Sequence, residues 1–136
     1  MSDLPSPRHL AIRVVLLPKD TNAHGTIFGG VILSQIDLAG AEEARRWTHH
    51  SVVTVAMDAV EFHEPVYVGD VVSFWTRCER RGNTSVTVHV EVEAQRSGGA
   101  RETVKVTEAK VVYVAVDRGS RKVALGEPPA LSDRAS

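Results

Sequence analysis

LPKDTNAHGTIFGGVILSQIDLAGAEEARRW, residues 17–47, is the stretch on which the fold turns. Its first part, Leu17 to Gly30, is dense in turn formers: Pro18, Asp20, Asn22, Gly25, Gly29 and Gly30. That composition reads as a loop. The second part, Val31 to Trp47, reads as the one convincing helix of the chain. It opens apolar on nearly every side, at Val31, Ile32, Leu33, Ile36, Leu38 and Ala39, and turns charged only at Glu42, Glu43, Arg45 and Arg46. A helix apolar all round is buried all round. Its last turn is therefore the part expected to meet water.

Strands surround this helix on both sides in sequence. Before it, HLAIRVVLL (His9 to Leu17) is strand-like and ends at Pro18. After it come four valine-rich runs, whose β-branched side chains suit a pleated surface. SVVTVAMDAVEFHEP stops at Pro65, and Gly69-Asp70 turns the chain into a strand from Val71 to about Glu79. Gly82-Asn83 makes the next turn. TSVTVHVEVEAQ then alternates cleanly, with Val86, Val88, Val90 and Val92 on one face. Thr87, His89, Glu91 and Glu93 take the other face, which should see solvent. ETVKVTEAKVVYVAVD is the last long strand, apolar on both parities from Val111 to Val116. The expected class is α+β: strand, helix, then four antiparallel strands. One sheet covers only one side of a helix. The leftover apolar stripe points to a partner subunit.

Composition narrows the class further. The chain has 136 residues, and 16 Lys+Arg against 17 Asp+Glu give a net charge of −1. No positive excess exists to attract nucleic acid as a polymer. The single cysteine, Cys78, excludes an internal disulfide and a multi-cysteine metal site, and reads as a small core residue. No apolar run approaches the roughly 20 residues that span a bilayer, so no membrane partner is expected. Met1 to His9 carries no apolar signal core, and a cytoplasmic location is expected. Residues 1–8 read as a loose lead-in, 9–118 as one domain, and 119–136 as a basic, Pro-bearing tail.

Asp37 is the residue that asks for a function. It is the one ionisable group between Ile27 and Ala41, set mid-helix among Leu33, Ile36, Leu38 and Ala41. Asp is a poor helix-interior residue and costly to bury unpaired. Either it caps a neighbouring segment or pairs with an arginine from a strand, or it does chemistry. Gly30, Ser34, Gly40 and Ala41 border it, small enough for a ligand or another backbone to come close. Gly29 and Gly30 sit where the helix begins, and a helix start offers free N–H groups that can hold an oxyanion. Seven residues at about 1.5 Å each put Gly30 and Asp37 roughly 10 Å apart along the axis. A carboxylate within about 3 Å of a reacting carbon cannot easily share that carbonyl with its own helix start. The expectation is a site shared across a two-fold axis, with the loop and helix start from one subunit and Asp37 from the other.

LPKDTNAHGTIFGGVILSQIDLAGAEEA resembles the active-site segment of hotdog-fold acyl-CoA thioesterases, especially the YciA-like bacterial acyl-CoA hydrolases. VVTVAMDAVEFHEPVYVGDVVSF, GNTSVTVHVEVE and TEAKVVYVAVD match the later strands in order, and the similarity covers roughly residues 9–118. The resemblance implies a five-stranded β-α-β-β-β-β hotdog fold wrapped around the helix. It implies a homo-oligomer: a dimer with a continuous sheet, often a trimer of dimers. The implied reaction is hydrolysis of acyl-CoA to free acid and coenzyme A, with no metal and no cofactor beyond the coenzyme A of the substrate. Asp37 becomes general base or nucleophile, and Asn22 positions the water or thioester from across the interface. The Gly29 and Gly30 N–H groups polarise the thioester carbonyl. His24, Phe28, Arg80, Gly82, Thr84 and Ser85 become the coenzyme A contacts.

Two positions depart from that pattern. His24 stands where relatives tend to have Asn, and Asn83 where they often have Arg. Arg80, Arg81, Arg118, Arg121 and Lys122 can compensate for the lost phosphate contact. The histidines show no spacing with carboxylates that suits a metal. Ser34 and Ser85 lack the Gly-x-Ser-x-Gly elbow of serine hydrolases. The competing readings are a hotdog hydratase or dehydratase, in which His24 would pair with a carboxylate, and a coenzyme A-binding module without turnover.

Overall fold

The computed structural model describes residues 7–98 and 100–130. The lead-in over residues 1–6 and the last part of the expected tail, 131–136, lie outside the described residues. The chain runs β1 (His9–Val15), a 3-10 turn (Pro18–Asp20) and α1 (Gly29–Ala44), which a 3-10 turn (Arg45–Trp47) continues. It then forms β2 (Ser51–Phe62), β3 (Val71–Arg81), β4 (Ser85–Gln95) and β5 (Thr103–Val116). All five strands join one antiparallel sheet in the order β1-β3-β4-β5-β2. Among the described residues, no helix is long and apolar enough to cross a membrane.

The turns follow the sequence. Gly69 adopts φ +95° before Asp70, whose carboxylate accepts the Tyr67 N–H. Gly82 N–H closes the next turn on the Ser85 carbonyl. The alternation of β4 is realised in full: Val86, Val88, Val90 and Val92 have no exposed surface. They pack with Val72, Phe74, Val111 and Ala115 against Ile32, Ile36 and Ala39 of α1. Each such side chain contributes on the order of 1.5–3 kcal/mol by leaving water. All five strands touch the helix, so the sheet curls around it.

Three expectations need correction. His89 does not see solvent: it is buried, because β4 lies mid-sheet and Arg77 and Lys110 stand directly opposite it on β3 and β5. Long side chains on neighbouring strands cover what the alternation alone would expose. The last helical turn is not uniformly wet either, since Glu43 is 1% exposed. Trp47 Nε1 and Thr76 Oγ1 donate to its carboxylate at 3.1 and 3.0 Å. Finally, the segment after Gly119 is pinned rather than loose as far as Leu125. Val123 N–H bonds Ala115 O, Leu125 N–H bonds Asn83 O, and the Leu125 side chain is buried.

Candidate active site

The loop from Leu17 to Phe28 is held by its own polar groups. Phe28 N–H bonds Asp20 O at 2.8 Å, and Gly25 turns the chain at φ +80°. Asn22 organises the loop: its Oδ1 accepts the His24 and Thr26 N–H groups at 2.8 and 3.2 Å, and its Nδ2 donates to Thr26 Oγ1 at 2.8 Å. His24 and Phe28 are exposed beside it. The helix that follows has no side-chain cap, which leaves its first N–H groups as free donors at the positive end of the dipole. The glycines there make room for rings. A Cβ on Gly30 would come within 2.7 Å of the Phe28 ring, and one on Gly29 would touch Phe62 at 3.6 Å. A mixed cleft of about 320 Å³ opens beside this helix start, lined on its apolar side by Ile27, Ile32, Phe62, Pro65 and Val66 and elsewhere by His63, Glu64 and Thr107.

Asp37 is half-buried two turns further on. Among the described residues it neither caps a segment nor pairs with an arginine. Thr54 Oγ1 of β2 donates to its Oδ1 at 2.6 Å. The Tyr113 hydroxyl of β5 donates to its main-chain oxygen at 2.6 Å and lies 3.3 Å from Oδ1. No donor among the described residues reaches Oδ2. Burial, then the negative Asp37 beside it, pushes the Tyr113 phenol far above the ordinary tyrosine range, so it stays a neutral donor. Gly40, expected to leave space for a ligand, instead leaves space for this hydroxyl: a Cβ there would overlap it.

Of the expected coenzyme A contacts, Gly82 and Thr84 sit in the turn between β3 and β4, with Arg80 at the end of β3 and Ser85 at the start of β4. That turn lies at the far end of the helix, where Arg81 stacks on Trp47 at 4.4 Å. Thr84 O anchors Ala115 N–H and Asn83 O anchors Leu125 N–H. Exposed Arg118, Arg121 and Lys122 occupy the loop just before Leu125, so these basic residues share one end of the molecule. The 16 residues of α1, at about 1.5 Å each, span roughly 24 Å. One protomer therefore holds the Asn22 loop and Gly29-Gly30 at one end of its helix, Asp37 in the middle, and the arginine turn at the other. It does not bring Asn22 and Asp37 into contact.

Comparison with known proteins decides the family. The thioesterase superfamily matches residues 24–100, which include α1, β2, β3 and β4. This chain belongs to the thioesterase superfamily. The acyl-CoA thioester hydrolase YciA of Salmonella typhimurium is 44% identical over 110 residues, 79% of this chain and 83% of that protein. Cj0915, a hexameric hotdog fold thioesterase of Campylobacter jejuni, superimposes with a TM-score of 0.83 at 47% identity, covering 86% of this chain and 90% of that one. HI0827, a hexameric broad specificity acyl-coenzyme A thioesterase, gives a TM-score of 0.81 at 38% identity, covering 93% of this chain and 85% of that one. The fold is the hotdog fold.

Reading the sequence alone misses two residues of this thioesterase that touch Asp37. Thr54 lies in a plain strand run and gives no local signal. Tyr113 does give one, because a tyrosine in an otherwise apolar strand end needs a partner for its hydroxyl. The sheet also gathers Glu61, His63 and Glu108, whose donor atoms lie within 4.8 Å of one another, a grouping that linear spacing does not reveal. Lys105 Nζ stands 2.6 Å from Glu108 Oε2 and already supplies a cation there.

Proposed function

We propose that this thioesterase hydrolyses acyl-CoA to a free carboxylic acid and coenzyme A, in a site built by two copies of the chain. The observation that carries this reading is the separation, within one protomer, of the uncapped helix start and Asn22 loop from Asp37 and its unoccupied Oδ2. A second copy closes that gap. The free N–H groups at Gly29 and Gly30 then hold the thioester oxygen of a substrate whose carbonyl carbon faces Asp37 of the other subunit.

Asp37 Oδ2 takes a proton from water as the water attacks, or attacks the carbonyl itself to give a mixed anhydride that water opens. In either route the C–S bond breaks and coenzyme A leaves as a thiolate, which needs little help. The reaction uses no metal or cofactor. The cleft beside Gly29 suits, on its apolar side, an acyl or pantetheine chain, and the arginine end suits the coenzyme A phosphates. The named structural relatives are hexameric. We take the assembly here to be a homo-oligomer with a dimer as its smallest active unit. β2 is an edge strand with Val53 and Val55 exposed, so a second copy extends the sheet there. The cytoplasm is the compartment this substrate implies. Within one protomer, no histidine among the described residues hydrogen-bonds Asp37.

Thiol release from acetyl-, octanoyl- and palmitoyl-CoA tests the reaction. Wild type should turn over at least one of them, and Asp37→Asn should be nearly inactive. Wild-type turnover in Asp37→Asn sinks the assignment. Mixing Asp37→Ala with Asn22→Ala protein tests the sharing. About a quarter of wild-type activity should return, since half of randomly mixed dimers are mixed and each holds one intact site.

A further inference from the structure

The outer face of the sheet carries a line of like charge. Glu61 of β2, Glu108 of β5 and Glu91 of β4 are direct cross-strand neighbours, in that order. Carboxylates set opposite one another repel. Among the described residues, Lys105 is the one permanent cation within ion-pair distance of Glu108, at 2.6 Å, and it also reaches Glu91 at 3.6 Å. Glu61 has only His63 within that distance among the described residues. The His63 ring stands between the carboxylates of β2 and β5, its Nε2 3.6 Å from Glu61 Oε2 and 3.0 Å from Glu108 Oε2. One ring N–H serves one of these oxygens, whereas a cation among the three atoms serves all of them. The spacing suits such an ion, since ligands about 2.1 Å from a tetrahedral zinc stand about 3.4 Å from one another. All three donor atoms lie within 4.8 Å of each other. Behind them His89 is only 8% exposed. Its Nδ1 has no hydrogen-bond partner, and its Nε2 meets the other Glu108 oxygen, Oε1, at 3.3 Å. A buried ring nitrogen on the far oxygen of a ligating carboxylate is the usual means by which a metal site orients that carboxylate.

We propose that Glu61, His63 and Glu108 form a binding site for a divalent transition-metal cation of the Zn2+ class, with His89 orienting Glu108 from behind. The imidazole nitrogen selects Zn2+ over Mg2+ and Ca2+, which take oxygen ligands. Lys105 gives way to the ion: its side chain is 41% exposed, and it keeps Glu91 as a partner when a metal takes Glu108. The metal ties the end of β2 to β5. Phe62, between two of the ligands in sequence, lines the cleft beside Gly29, so the tie steadies the strand end next to the helix start. The ion takes no part in thioester hydrolysis, and the site stands or falls independently of the acyl-CoA reading.

The test is Zn2+ titration of the untagged full chain in its assembled form, read by competition with a chromophoric chelator and by thermal unfolding. Wild type should bind one Zn2+ per chain and gain Tm on binding. His63→Ala and Glu61→Gln alter exposed side chains, and each should weaken binding by roughly ten- to hundred-fold and remove most of the Tm gain. Lys105→Met deletes the competing cation and should tighten binding several-fold. A large excess of Mg2+ should leave the Zn2+ in place. Absence of stoichiometric Zn2+ binding overturns the proposal. So does unchanged binding in His63→Ala, which would put the ion on other histidines such as His49 and His50. Displacement by Mg2+ would mean attraction to carboxylates alone, and unchanged or weaker binding in Lys105→Met would place the ion away from Glu108; either result overturns the proposal too.

Discussion

His9 Nδ1 of the first strand lies 2.7 Å from the Glu43 carboxylate, a side chain with no exposed surface. Thr76 and Trp47 donate to the same carboxylate and Arg46 Nε lies 3.9 Å from it, so the end of the helix is tied to β1 and β3 by a polar knot. Removing the carboxylate leaves the buried Thr76 hydroxyl and the half-buried His9 and Trp47 donors without their acceptor, and an orphaned buried donor alone costs about 1–3 kcal/mol. Glu43→Ala should therefore unfold at much lower denaturant than wild type, at matched protomer concentration. Glu43→Gln keeps an acceptor oxygen and should lose less. Equal unfolding of Glu43→Ala and wild type would show that the knot adds nothing.

Gly40→Ala should reverse the usual sign of a glycine replacement in a helix. The common outcome is a gain of about 0.5–1 kcal/mol. Here the new Cβ would overlap the Tyr113 hydroxyl, and overpacking of this kind costs roughly 1–3 kcal/mol. Thermal unfolding should show a lower Tm. Tyr113→Phe should then cost less in the Gly40→Ala background than in wild type, since the two changes act on one contact.

Acid should weaken the outer face of the sheet through Glu108. Hydrogen bonds from Lys105, then from His63 and His89, hold its carboxyl down at about 2, against an ordinary 4.5. A carboxylate depressed in the folded state adds stability above its unfolded pKa and loses it as pH falls toward the folded value. The stability difference between wild type and Glu108→Gln should be constant above about pH 5. It should shrink between pH 4.5 and about 2. A difference independent of pH across that window would rule the network out as a source of acid sensitivity.

Truncation after Ser120 should destabilise the domain rather than trim a tail. It removes the acceptor of the buried Thr48 hydroxyl, which donates to Leu125 O at 2.8 Å, and the Val123 N–H bond to Ala115 O. An orphaned buried hydroxyl alone costs about 1–3 kcal/mol. A Tm unchanged by truncation would restore the boundary at residue 118.

Much of this was legible before any coordinates. The 2.0 period of Val86, Val88, Val90 and Val92 set β4 and its buried face, and the all-round apolar helix demanded cover beyond one face of a sheet. Asp37 stood out because an ionisable group in such a helix is expensive. Asn22, Gly29 and Gly30 stood out through loop chemistry and their place at a helix start. His89 and Glu43 were misread as solvent-facing, since their burial comes from residues on other strands and not from their own neighbours in sequence.

What the sequence by itself determined is everything governed by short-range periodicity: the elements, their order, and a lone acid placed within an apolar helix. What only the tertiary structure decided is how that acid is held. Thr54 and Tyr113 are far apart in sequence, and neither announces the other. Strand register sets them opposite each other, so that Thr54 donates to Oδ1 and Tyr113 to the main-chain oxygen of the same residue. Register is a property of the folded sheet, fixed by the packing of its buried face and its bulges, and no local pattern along the chain encodes it.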